Sequence, residues 1–128
     1  RTNNVRINFI QGDLFNTCHL QPPTYDLIVC NPPYIPTSEI DRLQPEISYE
    51  PRIALDGGRD GLNFYERIIR DAPSYLKKKG LLIMEMGINQ GEGVENLLKN
   101  SGNFEIIEIV KDYSNIDRVM VSRRIGSV

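Results

Sequence analysis

Tyr25-Asp26-Leu27-Ile28-Val29-Cys30-Asn31-Pro32-Pro33-Tyr34 joins an apolar run to an abrupt stop. Its first six residues are nearly continuously apolar and stop at two prolines, the pattern of a strand buried on both faces, as strands of parallel sheets usually are. Proline has no N–H for a ladder, so the strand ends there. Upstream, Val5, Ile7 and Phe9 alternate with Arg6 and Asn8 and predict a first strand that ends at Gln11-Gly12-Asp13. Downstream, apolar residues at Tyr65, Ile68, Ile69, Ala72, Tyr75 and Leu76 mark one face of a helix starting near Leu62, with a kink or restart near Ala72 because Pro73 removes a hydrogen bond. Lys77-Lys78-Lys79 suits the negative end of that helix dipole and Gly80 its C-cap. Leu81 to Met86 reads as another buried strand. Val94, Leu97 and Leu98 mark a short helix closed by Gly102, Phe104 to Val110 is a β run, and Val119-Met120-Val121 is a last one. The order strand, strand, helix, strand, helix, strand, strand is α/β: a mostly parallel sheet with an antiparallel C-terminal hairpin.

The 128 residues suffice for one domain-sized core, and 40% hydrophobic with 25% charged residues argues against disorder and against a coiled coil. Fifteen Lys and Arg against 17 Asp and Glu give a net charge of −2, with no global footprint for nucleic acid. No apolar run reaches the roughly 18 residues of a membrane span. Two cysteines, Cys18 and Cys30, make no disulfide framework, and no secretory signal is visible, so a reducing, cytoplasmic setting is expected. Cys18 beside His19 lacks metal-ligand spacing, and no metal is expected. The segment from Ile35 to Gly61 is long and rich in proline and glycine, with a short helical stretch at Ser38 to Leu43 opened by a Ser-x-x-Asp cap; so long a connection is more often functional than idle.

In open α/β sheets the ligand crevice lies beyond the C-terminal ends of the strands. Two clusters sit there, Gly12-Asp13-Leu14-Phe15 and Asn31-Pro32-Pro33-Tyr34. The second is the sharper, because consecutive prolines fix their own φ and push Asn31 out of the helical region. The Asn31 side-chain carbonyl and the Pro32 backbone carbonyl are two acceptors with no competing proline donor. Together they can grip both hydrogens of a planar, resonance-deactivated NH₂ group, orient its lone pair toward an electrophile, and stabilise the positive charge that develops on nitrogen. Tyr34 can stack on the flat group. The same four residues also read as a strand-ending turn with a polyproline bend, and Asp13 also reads as a turn residue and helix cap. Glu50 and Arg52 read as an exposed ion pair. The glycines from Gly87 to Gly93 do not have the spacing of a phosphate loop.

Asn31-Pro32-Pro33-Tyr34-Ile35-Pro36, the run from Tyr49-Glu50-Pro51 through Leu55-Asp56-Gly57-Gly58 to Asp60-Gly61-Leu62, Glu85-Met86-Gly87 with Gln90, and Asp117-Arg118-Val119 together resemble the HemK/PrmC family of peptide-chain-release-factor glutamine N5-methyltransferases. The resemblance runs from about Ile7 to Arg124. The Asn-Pro-Pro-Tyr tetrad alone is shared with adenine-N6 and cytosine-N4 DNA methyltransferases; the Glu50 to Leu62 segment is more specific. The resemblance implies a class I (Rossmann-like) fold with S-adenosylmethionine as cofactor. It implies Asn31, Pro32, Pro33 and Tyr34 as binders of the substrate glutamine amide, with Asn31, Pro32 and Tyr34 carrying catalysis. Asp13, Leu14 and Asn31 would lie against the cofactor, with Asp13 accepting from the adenine amino group and Leu14 covering the ring. The implied partner is a release factor, through the glutamine of a Gly-Gly-Gln loop.

The family pattern also places a Gly-rich loop after its first strand, an acidic ribose-binding residue after its second, and a helical substrate-recognition domain before both. Residues 1–128 contain none of these and read as the C-terminal part of a catalytic domain, expected to be inactive by itself. The absent strands would lie between the first two strands of this sequence. The chain is therefore expected to pair those two strands directly, to associate with another copy, or to be marginally stable. A DNA amino-methyltransferase and a non-catalytic α/β module that contacts a protein through its Pro-rich loop are the alternatives.

Overall fold

The computed structural model describes residues 4–17, 20, 25–42 and 51–126. Cys18, His19, Tyr49 and Glu50 lie outside the described residues. Four strands, β1 (Tyr25–Cys30), β2 (Leu76–Glu85), β3 (Phe104–Lys111) and β4 (Asp117–Arg124), form one sheet in the spatial order β1-β2-β4-β3. β1 runs parallel to β2, and β4 is inserted antiparallel between β2 and β3. Three of the four strands therefore point the same way, and the expected C-terminal hairpin is antiparallel.

Helices α1 (Asn63–Asp71) and α2 (Gly91–Ser101) lie on one face of this sheet. The apolar stripe of α1, Tyr65, Ile68 and Ile69, packs with Val94 and Leu98 of α2 against Leu82 and Met84 of β2 and Met120 of β4. This is the 3.6-residue period read from the sequence. α2 ends as expected at Gly102, whose φ of 72° is the left-handed cap conformation. Two polar side chains enter the buried face of β4 with partners: Ser122 Oγ donates to the Leu82 carbonyl at 3.1 Å and Arg124 Nη1 to the Leu76 carbonyl at 2.8 Å. Among the described residues no helix is long and apolar enough to cross a membrane.

The structure corrects three sequence expectations. Val5 to Phe9 is not a strand: residues 4–10 take no regular structure, and Val5, Ile7 and Phe9 are 51%, 52% and 86% exposed. Alternation alone does not make a strand, which needs a neighbouring strand to form a ladder with; among the described residues this segment is not part of the sheet, so the direct pairing with β1, one of the three expected outcomes, is not formed. Secondly, β1 is buried on one face only. Ile28 and Cys30 pack against the core, whereas Leu27 and Val29 are 49% and 68% exposed beside Leu81 and Ile83 of β2. Both helices cover the opposite face, so nothing among the described residues screens this one.

The third correction concerns the lysines. The kink expected near Ala72 occurs, with α1 giving way to a 3-10 turn over Ala72–Ser74. The chain then enters β2 at Leu76, because Tyr25 N–H donates to the Tyr75 carbonyl at 2.9 Å and draws the segment into the sheet. Lys77, Lys78 and Lys79 thus stand in β2, not at a helix end. Tyr25 faces Leu76 and Leu27 faces Leu81, so two steps along β1 span five along β2. The lysines occupy the resulting bulge, exposed, and Gly80 belongs to the bulge and caps no helix.

Candidate functional site

The Asn31-Pro32-Pro33-Tyr34 bend leaves the C-terminal end of β1 and crosses toward the loop that follows β2. Asn31 is exposed, Pro32 buried, and Pro33 and Tyr34 half-buried. Asn31, Pro32 and Tyr34 line one cavity of about 360 Å³ with Ile35, Ala54, Leu55 and Glu85. Among the described residues no hydrogen-bond donor engages the Asn31 side chain or the Pro32 carbonyl. Pro33 does not line the cavity.

Tyr34 divides this cavity from a larger one of about 740 Å³ that includes Gly87, Ile88, Gln90 and Arg118. Its hydroxyl donates to Glu85 Oε1 at 3.4 Å and accepts from Arg118 Nη2 at 3.5 Å, and the Arg118 and Glu85 charges lie 3.9 Å apart. These are long, partly solvated contacts that steer the ring more than they fix it. The Tyr34 backbone is held more firmly: its carbonyl accepts from Gln90 Nε2 at 2.6 Å. The next residue, Ile35, donates to the Leu55 carbonyl at 3.0 Å and accepts from Gly57 N–H at 2.8 Å. This short parallel pairing, centred on the Ile35–Asp56 bridge, brings the segment 54–61 against the bend. It explains why a sequence so rich in proline and glycine is nevertheless ordered there.

Asp56 anchors the same segment. Thr37 Oγ1 donates to Asp56 Oδ1 at 2.6 Å and Gly58 N–H to the same oxygen at 3.0 Å, with Arg52 Nε 3.5 Å from Oδ2. The Thr37 hydroxyl first, and then the Gly58 amide, hold this carboxyl below the usual carboxylate range. A carboxyl lowered on folding contributes stability that is present above its unfolded value of about 3.9 and is lost as pH falls through the folded value. Thr37→Val is expected to move the Asp56 titration up toward the ordinary value and to loosen the 54–61 segment at a higher pH. Carbon-detected NMR titration of the carboxyl reads this directly; an unmoved midpoint would show that the hydroxyl is not its partner. Arg52 thus lies one helical turn from a carboxylate at Asp56, while the pairing read for it with Glu50 falls outside the described residues.

Burial pushes the thiol of Cys30, which precedes Asn31, up to about 11, so it stays protonated at neutral pH and is no nucleophile. Burial likewise raises the Tyr65 hydroxyl, which donates to the Glu85 carbonyl at 2.6 Å and pins the end of β2. Among the described residues no group of three or more His, Cys, Asp or Glu side chains could hold a metal ion.

Asp13 and Leu14 stand apart from the bend. Asp13 forms a tight turn, accepting from Asn16 N–H at 2.9 Å, and its carboxylate pairs with Arg67 Nη2 of α1 at 2.9 Å. It lines a separate cavity of about 390 Å³ with Phe15, Asn16, Arg67, Arg70, Asp71, Ser74 and Tyr75. Leu14, with a φ of 55°, packs against the core. Sequence reasoning assigned no role to Glu85, Gln90 or Arg118, although all three stand in segments singled out for their resemblance; their signal was proximity to strand ends, which periodicity does not resolve.

A parallel strand pair ending in a two-proline bend, with a reversed strand inserted beside it, is the architecture of part of a class I methyltransferase fold. The solved structure of the release-factor-specific protein-(glutamine-N5) methyltransferase from Alicyclobacillus acidocaldarius matches it with a TM-score of 0.51 at 30% identity. The match covers 79% of this chain and 49% of that one. A second solved structure, a candidate DNA modification methylase from Thermus thermophilus, matches with a TM-score of 0.54 at 14% identity, which shows the fold alone. In sequence the chain is 46% identical to the release factor glutamine methyltransferase of Thermodesulfovibrio yellowstonii, over 98% of this chain and 45% of the relative. It is also 46% identical to that of Geobacter sulfurreducens, over 95% of this chain and 42% of the relative. No family model matches the chain. The chain is thus similar to release factor glutamine methyltransferases and spans a little under half the length of the curated relatives it matches.

Proposed function

We propose that this chain is the methyl-acceptor part of an S-adenosylmethionine-dependent enzyme that methylates the side-chain amide nitrogen of a glutamine in a peptide chain release factor. The observation that carries the reading is that Asn31 and Pro32, two acceptors in one cavity of about 360 Å³, have no protein donors among the described residues. A primary amide is planar and carries two N–H donors, the complement of this pair. Its nitrogen lone pair is delocalised into the carbonyl, so acceptors that bind the N–H groups more strongly as nitrogen becomes positive lower the barrier and not merely the substrate's free energy. Tyr34 closes the cavity on one side and offers its ring to the flat amide. Neither a nucleophile nor a general base of perturbed pKa is required for this orienting role.

Bound S-adenosylmethionine supplies an electrophilic methyl group on a sulfonium. Of this chain's residues, Asn31, Asp13 and Leu14 would lie against it. The donor set suits that assignment in part: an ionised Asp13 is a pure acceptor fitted to an exocyclic amino group, and its ion pair with Arg67 is 62% exposed on the Asp13 side, hence weak and exchangeable. The remaining contacts would come from a Gly-rich loop of the kind that residues 1–128 do not contain. A cytoplasmic setting, where release factors act in translation termination, agrees with the sparse cysteines.

Full-length protein carrying this sequence, offered labelled S-adenosylmethionine with a Gly-Gly-Gln peptide, a release factor and duplex DNA side by side, is expected to label the first two and not the DNA. The 128 residues alone are expected to label none. Labelling of DNA in preference to the release factor would overturn the assigned substrate. A full-length protein whose melting temperature ignores saturating S-adenosylmethionine would favour a non-catalytic module, since ligand at 100 times its Kd adds about 2.7 kcal/mol of stability.

A further inference from the structure

We infer that Gln90 is a positioning residue for the acceptor bend, fastening Asn31-Pro32-Pro33-Tyr34 to the end of β2 and to the glycine turn before α1. This rests on the reading of that bend as the methyl-acceptor grip.

The prolines fix φ within the bend, but they do not fix how the bend as a body is oriented against the sheet. Freedom returns at Tyr34, the first residue after them, and it is the Tyr34 carbonyl that Gln90 holds. Gln90 Nε2 donates to Tyr34 O at 2.6 Å and reaches Gly61 O at 3.4 Å, while Gln90 Oε1 accepts from Gly87 N–H at 2.9 Å. One planar amide thereby joins three segments that are distant in sequence. The residue type is specified by the partners. A carbonyl on one side and an N–H on the other need a donor and an acceptor on a single side chain, and a carboxamide carries them on two separate atoms of one planar group. Glutamate keeps the acceptor and loses the donor.

The surroundings are shaped to this clamp. A Cβ on Gly87 would stand 2.7 Å from Tyr34 Cδ1 and 2.8 Å from Gln90 Oε1, and one on Gly61 would fall against the Tyr34 carbonyl oxygen. Both glycines therefore leave room for the amide and the tyrosine to close together. Gln90 is half-buried and does not line the 360 Å³ cavity that holds Asn31 and Pro32, so its action on an acceptor group passes through the bend.

Two substitutions separate the two halves of the clamp, each read by kinetics and by amide hydrogen exchange in the full-length protein. Gln90→Glu retains an acceptor for Gly87 N–H but not a donor for Tyr34 O. It is expected to keep exchange protection at Gly87 within about twofold while lowering kcat for peptide methylation tenfold or more, with Kd for S-adenosylmethionine unchanged. Gln90→Ala is expected to lose both, with exchange at Gly87 at least tenfold faster. A role confined to fold stability would lower the melting temperature of both variants and leave kcat per folded enzyme unchanged, and that result would overturn the inference. Wild-type kcat in Gln90→Glu would also overturn it. If the wild-type protein methylates no glutamine, the acceptor reading fails separately. The clamp is then judged by exchange alone: unchanged protection at Gly87 in Gln90→Ala refutes it, and lost protection there with kept protection in Gln90→Glu supports it.

Discussion

Asn31→Ala in the full-length protein is expected to lower kcat for glutamine methylation by about 10²–10³-fold, the loss typical of removing one preorganised polar group from a transition state. S-adenosylmethionine affinity should stay within a few-fold of wild type. The reasoning is differential. The Asn31 carbonyl contacts the amide N–H only weakly in the ground state, when the amide is neutral, and more strongly as positive charge accumulates on nitrogen. The Pro32 carbonyl remains in the variant but cannot orient the lone pair alone, because one acceptor leaves the NH₂ group free to rotate about the remaining hydrogen bond. Asn31 is exposed and is not part of the hydrophobic core, so its truncation should leave the fold intact. Single-turnover kinetics with saturating cofactor would separate the chemical step from binding. Turnover unchanged from wild type would remove the two-acceptor grip from the mechanism.

Gly61→Ala is expected to destabilise the protein by about 2–5 kcal/mol, the sum of a left-handed backbone cost and an overpacking cost. Gly102→Ala should cost only about 1–2 kcal/mol. The two glycines have similar backbone conformations, with φ of 81° and 72°. They differ in surroundings: a Cβ on Gly102 would meet nothing within 4 Å, whereas one on Gly61 would strike the Tyr34 carbonyl and stand 2.5 Å from Gln90 Nε2. Urea denaturation of both variants isolates the crowding from the conformational term. Equal losses would mean that the Gly61 turn relaxes away from Tyr34 without cost, and that the bend is less tightly packed than its contacts indicate.

Both expectations concern the same few residues, and they differ in how far the sequence alone could reach. The Asn31-Pro32-Pro33-Tyr34 bend was legible because its constraint is covalent: proline rings restrict φ whatever surrounds them, and the apolar run before them marks where a strand stops. α1, α2 and the β3–β4 hairpin were legible for a related reason, since a residue's place on a helix or strand face repeats over a few positions. Gly102 announced its cap by its chemistry.

What the sequence could not resolve shares one physical cause. Whether Val5 to Phe9 becomes a strand depends on a neighbour to share its hydrogen bonds, and Lys77 to Lys79 leave the helical path because Tyr25, some fifty residues earlier, draws Tyr75 into the sheet. The exposure of Leu27 and Val29 depends on which face the helices cover. The turn at Asp13 sets its carboxylate against Arg67, in a cavity other than the one that Asn31 lines.

Local pattern was enough for the two helices, the strand that stops at the Asn31-Pro32-Pro33-Tyr34 bend, the C-terminal hairpin and the resemblance to release factor glutamine methyltransferases, because these follow from bonded geometry, local periodicity and residue identity. Only the tertiary structure decided that Glu85 and Arg118 flank Tyr34, that Gln90 closes a clamp between residues 34, 61 and 87, and that one face of β1 stays open. Those outcomes are set by hydrogen bonds and packing between positions far apart along the chain, whose partners are chosen by the sheet and by no local pattern.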